Sequence, residues 1–460
     1  MTKKPNILFF GIDSLRRDHM SLYGYPKLTT PYMDKFLSEE SVIFDNMFSP
    51  AIPTSPGYAS MLTGMDSFST NVVALRHQGD YAEGLTTLQE VIGANGYNTT
   101  CIGFPHFAAR GFQTYLNYPV SWGSWDNGRS NKAESMNDVA IPELERLAAD
   151  DKPFMLFLRH MDPHSPYLPP LPYERMFYAD DEFSEKHETL KPVYDFVPFR
   201  DYFYTWFPPG CTDAEYINAQ YDGAVAYMDA CINIILNKLE HLGIADNTIV
   251  VFTSDHGETL YDHDCYFDHH SMYDNCLVVP LAIKFPKMFK ASKHYKDYAY
   301  EKDIMPTLLS MLGIDSGINF DGRDLLEVVA GNAPQEPEMY ITEATWMRKH
   351  GWRTPEWKLM IALEPDFHYK PEVELYNLIK DPTEYNNVAE QEPEIVKLLT
   401  DRMLAHIAAR TAVTGREAPI YTNLNWSGFG RPFASSDEAY NTLHIGDPEA
   451  AKKLQERAKK

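Results

Sequence analysis

The chain has 460 residues, 44% of them hydrophobic and 23% charged, with a formal net charge of −24. That is the composition of a globular protein, and the charge argues against a phosphate-neutralising surface for nucleic acid; any anionic substrate must meet a local positive device, such as a metal ion or a histidine cluster. Five cysteines without a C-x-x-C pair read as free thiols in a reducing compartment, and neither a signal peptide nor the roughly 18 apolar residues of a membrane span is present, so the expected location is cytoplasmic.

In chain order, "NILFFGID" is a continuous apolar run ending in Asp13, the pattern of a central strand buried on both faces. "TTLQEVIGANGYNTTCIGF" reads as a helix stopped at Gly96 and followed by a strand. "KPFMLFLRHMDPH" is another buried strand running into a polar loop. "AEYINAQYDGAVAYMDACINIILNKLEHLG" is a long amphipathic helix ending at Gly243, and "NTIVVFTSDHGE" and "VVPLAIKFP" are two further strands. Strands alternate with helices and polar residues gather after strand ends, which predicts an α/β fold with a doubly wound, mostly parallel sheet and a site along its C-terminal edge. Residues 1–335 are expected to form this catalytic unit. Residues 171–213, rich in proline, aromatics and acids, would be an insertion over the site. Residues 336–414 suggest a small α+β unit, and 415–460 an irregular tail with a terminal helix, a route to a homo-oligomer.

"AIPTSPGYASMLTG", residues 51–64, places Thr54 and Ser55 before a short apolar helix with Pro56 in its first turn. One reading is a helix cap; the other is a hydroxyl held where backbone N–H groups attract anions. Three strand ends add metal-type ligands: Asp13; Asp162 and His164; Asp255 and His256. An Asp after a strand is more often a helix cap than a ligand, but several such ends together favour a metal site.

Together, "NILFFGIDSLRRDHMSLYGYP", "SPAIPTSPGYASMLTG", "FLRHMDPHSPYLPP", "VVFTSDHGETLYDHDCYFDHHSMYD" and "ELYNLIKDPTEYNNVA" resemble, in order over residues 5–390, the sulfatase family of the alkaline phosphatase superfamily. The resemblance implies Asp13, Asp255 and His256 as metal ligands, with Thr54 at the position of the nucleophile that also touches the metal. It implies His164 on the substrate anion, His106 beside the nucleophile, and His269 near the leaving oxygen, with His270 as its alternative. The departures are specific. Family members carry Cys-x-Pro-x-Arg, whose Cys becomes formylglycine, where this chain has Thr54 and Tyr58. The lysine of "G-K-x-H" is Phe104, and the acid after the first metal ligand is Ser14.

A metal-dependent hydrolase of small anionic esters follows, with Thr54 as nucleophile and phosphodiesters, phosphomonoesters or phosphonate monoesters preferred. Sulfate esters without formylglycine, and phospho-group transfer, are the alternatives. One divalent ion is expected, Mn²⁺ or Zn²⁺ before Ca²⁺. A second ion on His160, Asp162 and His263 is the lesser reading, loop capping by His160 and Asp162 the greater. His164, His270 and Tyr58 are the expected substrate contacts, and the aromatic insertion around Tyr194 to Phe207 suits a cationic or apolar leaving group.

Overall fold

The computed structural model describes residues 3–75, 80–103, 109–120, 124–127, 129–345, 347–363, 366 and 368–422. Its described strands are β1 (Asn6–Ile12), β2 (Ser41–Phe48), β3 (Ala51–Ile52), β4 (Asn98–Ile102), β5 (Thr114–Leu116), β6 (Phe154–His160), β7 (Thr248–Ser254), β8 (Thr259–Asp262), β9 (Cys265–Asp268), β10 (Val278–Lys284), β11 (Lys293–Tyr300), β12 (Met339–Ala344), β13 (Arg348–Arg353), β14 (Trp357–Ala362) and β15 (Val373–Asn377). Eight of them form one sheet in the order β11-β2-β10-β7-β1-β6-β4-β5. Within it β10 pairs antiparallel with both neighbours, and every other pairing is parallel.

The apolar run of β1 is continuous because both of its faces are covered. Leu8, Phe10 and Ile12 join one core with the helices Lys132–Ala148 and Ala214–His241. Ile7 and Phe9 join a second core with the helices Thr54–Thr63, Leu88–Ala94 and Ile304–Leu312. That is the doubly wound arrangement the alternation predicts. The helix Leu88–Ala94 ends just before Gly96, whose φ of +89° lets the chain turn back into β4.

A second sheet, β15-β14-β13-β12-β3, is antiparallel from β12 to β15. Its last member is the two-residue strand just before Thr54, paired parallel with β12 through Ala51 and Ile52. The start of the helix Thr54–Thr63 is thereby held between the two sheets. Along the stretch 171–213, Phe203, Trp206 and Phe207 are buried and pack against Tyr167 and Phe267. Among the described residues no helix is long and apolar enough to cross a membrane. All five cysteines are free thiols, and all are buried.

Candidate active site

The register of the central strands assembles the site. Ile12 at the end of β1 stands opposite His160 of β6 and Ser254 of β7, so the residues that follow emerge side by side at one sheet edge. Asp13 and Asp255 are completely buried there. Ser14 takes a left-handed conformation, φ +63°, and turns the chain so that its N–H donates to Asp255 Oδ1 at 3.4 Å. His256 Nδ1 donates to the Gly257 carbonyl at 2.7 Å, which leaves Nε2 as the ring's acceptor. That nitrogen lies 3.7 Å from Asp13 Oδ1 and 3.6 Å from Asp255 Oδ2.

Burial would push the Asp13 carboxyl up, but His164, Arg159 and His256 face it and hold it well below the ordinary carboxylate range. Burial and the charge of Asp13 push Asp255 the other way. Its Oδ2 is buried and has no hydrogen-bond partner among the described residues. Two carboxylates and one imidazole nitrogen, with ligand atoms within 4.8 Å of one another, make a set that a divalent cation satisfies and that protein donors leave incomplete. The residues present therefore fit the metal the sequence implies.

Thr54 is the first residue of its helix rather than its cap. Pro53 occupies the cap position and makes no side-chain cap hydrogen bond. The capping expectation for Thr54 and Ser55 is thus corrected: the hydroxyl of Thr54 lies 3.0 Å from His256 Nε2, because the close approach of helix and strand end offers it that partner. The approach depends on Gly57, where an added Cβ would lie 2.6 Å from the Asp255 carbonyl oxygen.

His269 joins this group, its ring centroid 4.6 Å from that of His256 and 5.3 Å from that of His164. Its Nδ1 is 3.0 Å from Asp268 Oδ1, yet burial takes its imidazole down to about 3. His164 Nδ1 donates to the Ser165 carbonyl at 2.6 Å, and burial lowers that ring also, against the pull of Asp13. His270, one residue beyond His269, belongs to a different cluster with Cys265 and His368. Tyr58 does not line an open face of the site. It is 2% exposed, its hydroxyl donates to the Gly11 carbonyl at 3.2 Å, and its ring lies edge-on to Phe157. His106 and Phe104 lie outside the described residues.

The groups considered for a second ion do not converge. Asp162 accepts from the Ala133 N–H at 2.9 Å, in the first turn of the helix Lys132–Ala148, and pairs with the buried Lys132 at 3.2 Å. His160 is buried against Phe10, and His263 is sandwiched between Tyr273 and Tyr385. Sequence reasoning missed Arg159. Its guanidinium bonds Asp13 Oδ2 at 2.8 Å and lies 5.2 Å from the centroid of the Tyr58 ring. A guanidinium thus reaches the site from β6, although the helix carries Tyr58 where the family pattern has arginine. The available signal was an arginine interrupting the apolar run "FMLFLRH" at a strand end. Arg348, Lys349 and Arg353 are tied into the small sheet by the Ile420 carbonyl, by Asp366 and Glu374, and by Asp274.

Comparison with known proteins adds five findings. Residues 5–314 match the family described as Sulfatase, and residues 262–409 the one described as N-sulphoglucosamine sulphohydrolase, C-terminal. An N-acetylglucosamine-6-O-sulfatase of Bacteroides thetaiotaomicron is 25% identical over 497 aligned positions, covering 87% of this chain and 86% of that protein. The multifunctional alkaline phosphatase superfamily protein PehA of Trinickia caryophylli is 25% identical, covering 73% and 79%. In fold, the chain resembles the crystal structure of a phosphonate monoester hydrolase of Agrobacterium radiobacter, with a TM-score of 0.72 at 22% identity, over 88% of this chain and 96% of that one.

Proposed function

The chain belongs to the sulfatase family of the alkaline phosphatase superfamily and is an ester hydrolase, and on that premise we propose that it cleaves phosphoesters (monoesters, diesters or phosphonate monoesters) with Thr54 as nucleophile. The observation that carries this reading is the Thr54 hydroxyl, first in its helix, 3.0 Å from His256 Nε2 and beside the Asp13–Asp255–His256 set. Threonine has no thiol to oxidise, so the formylglycine route, in which an aldehyde hydrate expels sulfate by elimination, is closed to it. A Thr ester must be cleared by water attacking the central atom, as phosphoryl enzymes are.

Asp13, Asp255 and His256 would hold one divalent ion, Mn²⁺ or Zn²⁺ before Ca²⁺, whose Lewis acidity offsets negative charge on the hydroxyl and on the ester. Thr54 Oγ1 releases its hydroxyl proton to solvent and forms its bond to phosphorus as the bond to the leaving oxygen breaks, and the N–H groups of the helix's first turn stabilise the developing charge. His269 is kept neutral by its surroundings, and an anionic ester beside it favours its cation. As imidazolium it hands the leaving oxygen a proton. His164, with Nδ1 committed to the Ser165 carbonyl, uses Nε2 to deprotonate the water that frees Thr54. Arg159 holds Asp13 ionised and in place.

Sulfate-ester hydrolysis is the second reading, favoured by the match to the N-acetylglucosamine-6-O-sulfatase along most of the chain. Transfer of the Thr54-bound group to an alcohol is a variant of the first. A parallel assay of aryl sulfate, phosphate monoester, phosphate diester and phosphonate ester with Mn²⁺, Zn²⁺ and Ca²⁺ separates the two readings, and added alcohol detects transfer. Turnover of the sulfate alone would overturn the phosphoester preference; full activity in Thr54→Ala would overturn the nucleophile.

A further inference from the structure

A cavity of about 450 Å³ lies apart from the catalytic group, where the small sheet meets the helix Pro393–Thr414. That is the size of a small-molecule site. None of Asp13, Thr54, His164, Asp255, His256 and His269 lines it. One wall is aromatic: His406 lies against Phe68, Tyr340 and Trp352, with ring centroids 5.7, 5.8 and 5.4 Å away. Burial takes His406 down to about 4, so this wall is uncharged at neutral pH. The rest is acidic. Four carboxylates, Asp66, Asp321, Glu336 and Glu338, line the cavity against two cations, Lys302 and Arg410. Glu336 and Glu338 each have a cation of their own, Lys302 at 3.5 Å and Arg402 at 2.7 Å. Arg323, 3.9 Å from Glu336, is held by Asp303 at 2.8 Å. Asp66 and Asp321 share one guanidinium, that of Arg410, at 2.9 and 2.7 Å. One negative charge is unmatched there, and burial and the neighbouring Asp321 push the Asp66 carboxyl up. Thr342, also in the lining, is 1% exposed, and its Oγ1 has no hydrogen-bond partner among the described residues. A buried hydroxyl left in that way is completed by what fills the cavity.

We propose that this cavity binds a small organic ammonium ion, a protonated amine on an apolar carbon frame, at a site separate from the catalytic centre. The charge of the amine supplies what the Asp66–Asp321 pair lacks, and its N–H groups donate charge-assisted hydrogen bonds to those carboxylates. Its carbon frame covers the rings of Phe68, Tyr340 and Trp352, whose faces attract a cation as well as apolar surface. A metal ion fits less well, because none of these carboxylates belongs to a set of three whose ligand atoms converge within 4.8 Å among the described residues. An anion would meet the surplus of negative charge. The bound ion would lie against Ala51 of β3 and Ser60 of the helix Thr54–Thr63, and so brace the segment that carries Thr54.

The probe is benzylamine, protonated at neutral pH, with benzyl alcohol as its uncharged counterpart. The chain has seven tryptophans. In protein labelled with 5-fluorotryptophan, the fluorine resonance missing from Trp352→Phe reports on the cavity. Benzylamine is expected to shift that resonance saturably, and benzyl alcohol to bind about 10-fold more weakly or worse. Asp321→Asn, which leaves Asp66 as the one carboxylate on Arg410, should weaken benzylamine by about 10-fold and benzyl alcohol little. A resonance that benzylamine leaves in place, equal affinity for amine and alcohol, or an Asp321→Asn variant that binds the amine as wild type does, each overturns the proposal. If Asp321→Asn fails to fold, the comparison of amine with alcohol on wild-type protein still decides. The catalytic reading fails separately: an active Thr54→Ala would keep the benzylamine shift.

Discussion

Among the described residues the Thr54 hydroxyl has one hydrogen-bond partner, His256 Nε2, and Asp13, Asp255 and His256 supply three ligand atoms without it. Removing it should therefore separate chemistry from metal binding. Thr54→Ala is expected to lose roughly 10³-fold or more in kcat with unchanged metal content by elemental analysis. Arg159 acts at one remove, through Asp13. Arg159→Ala is expected to lower kcat/KM by about 10- to 100-fold, the range for partners that orient a metal ligand. Arg159→Lys should recover part of the loss, because an ammonium restores the charge but not the planar fork. Equal activity in both variants would show that Asp13 needs no such partner. Neither the Arg159–Asp13 pair nor the choice of His269 over His270 was legible in the sequence. The first joins residues 146 positions apart. The second turns on which of two adjacent side chains faces His256, and in an irregular turn no periodicity assigns a face.

The helix Thr54–Thr63 is buried along its whole length and packs on the ends of β1 and β7. Gly57 sets the distance. A methyl there meets the Asp255 backbone at 2.6 Å and Glu301 Oε1 at 3.1 Å, and the backbone contact can be relieved only by moving the helix or the strand end. Gly57→Ala is expected to cost about 1–3 kcal/mol by denaturant titration and to lower kcat by about 10²-fold, the scale for a misplacement of about 1 Å. Normal activity with normal stability would mean that the helix tolerates the shift. The helix itself was readable from Pro56 and the apolar stretch that follows. That Thr54 would start it, and aim its hydroxyl at a histidine instead of capping, depends on β3 pairing with β12, a contact between residues near 52 and 343.

A buried charge network joins the small sheet to the catalytic sheet. Asp274 accepts from Arg353 of β13 at 2.9 and 2.7 Å and from Lys358 of β14 at 2.6 Å, and Lys358 also reaches Glu384 at 2.6 Å. Lys358 is completely buried. Asp274→Ala would leave two cations with too little counter-charge, and a loss of about 3–5 kcal/mol is expected by chemical denaturation; a loss below about 1 kcal/mol would show that solvent already compensates them. Acid should loosen the molecule by another route. Burial takes His263, His350 and His406 down to about 4 from an ordinary value of 6.5. As pH falls through 6.5 the unfolded chain binds protons that the native chain refuses. The stability from these groups is therefore whole above 6.5 and drains away until about pH 4, at roughly 1.4 kcal/mol per group and pH unit. His406, packed against Phe68, Tyr340 and Trp352, isolates one share. His406→Phe should flatten the fall of the melting temperature between pH 7 and 4, and an unchanged slope would remove His406 from the account.

The sequence by itself determined the doubly wound sheet, the strand ends that carry Asp13, Asp255 and His256, and the identity of a hydroxyl at position 54. Those features are local: an apolar run shows that a strand is covered on both faces, and the residue after it emerges at the sheet edge whatever the rest of the chain does. The tertiary structure decided the antiparallel course of β10, the arginine over Tyr58, the loop capping by Asp162, and the meeting of Cys265, His270 and His368. Each depends on how far separate elements slide and turn against one another, and such offsets are set by packing across the core, which leaves no repeating trace along the chain.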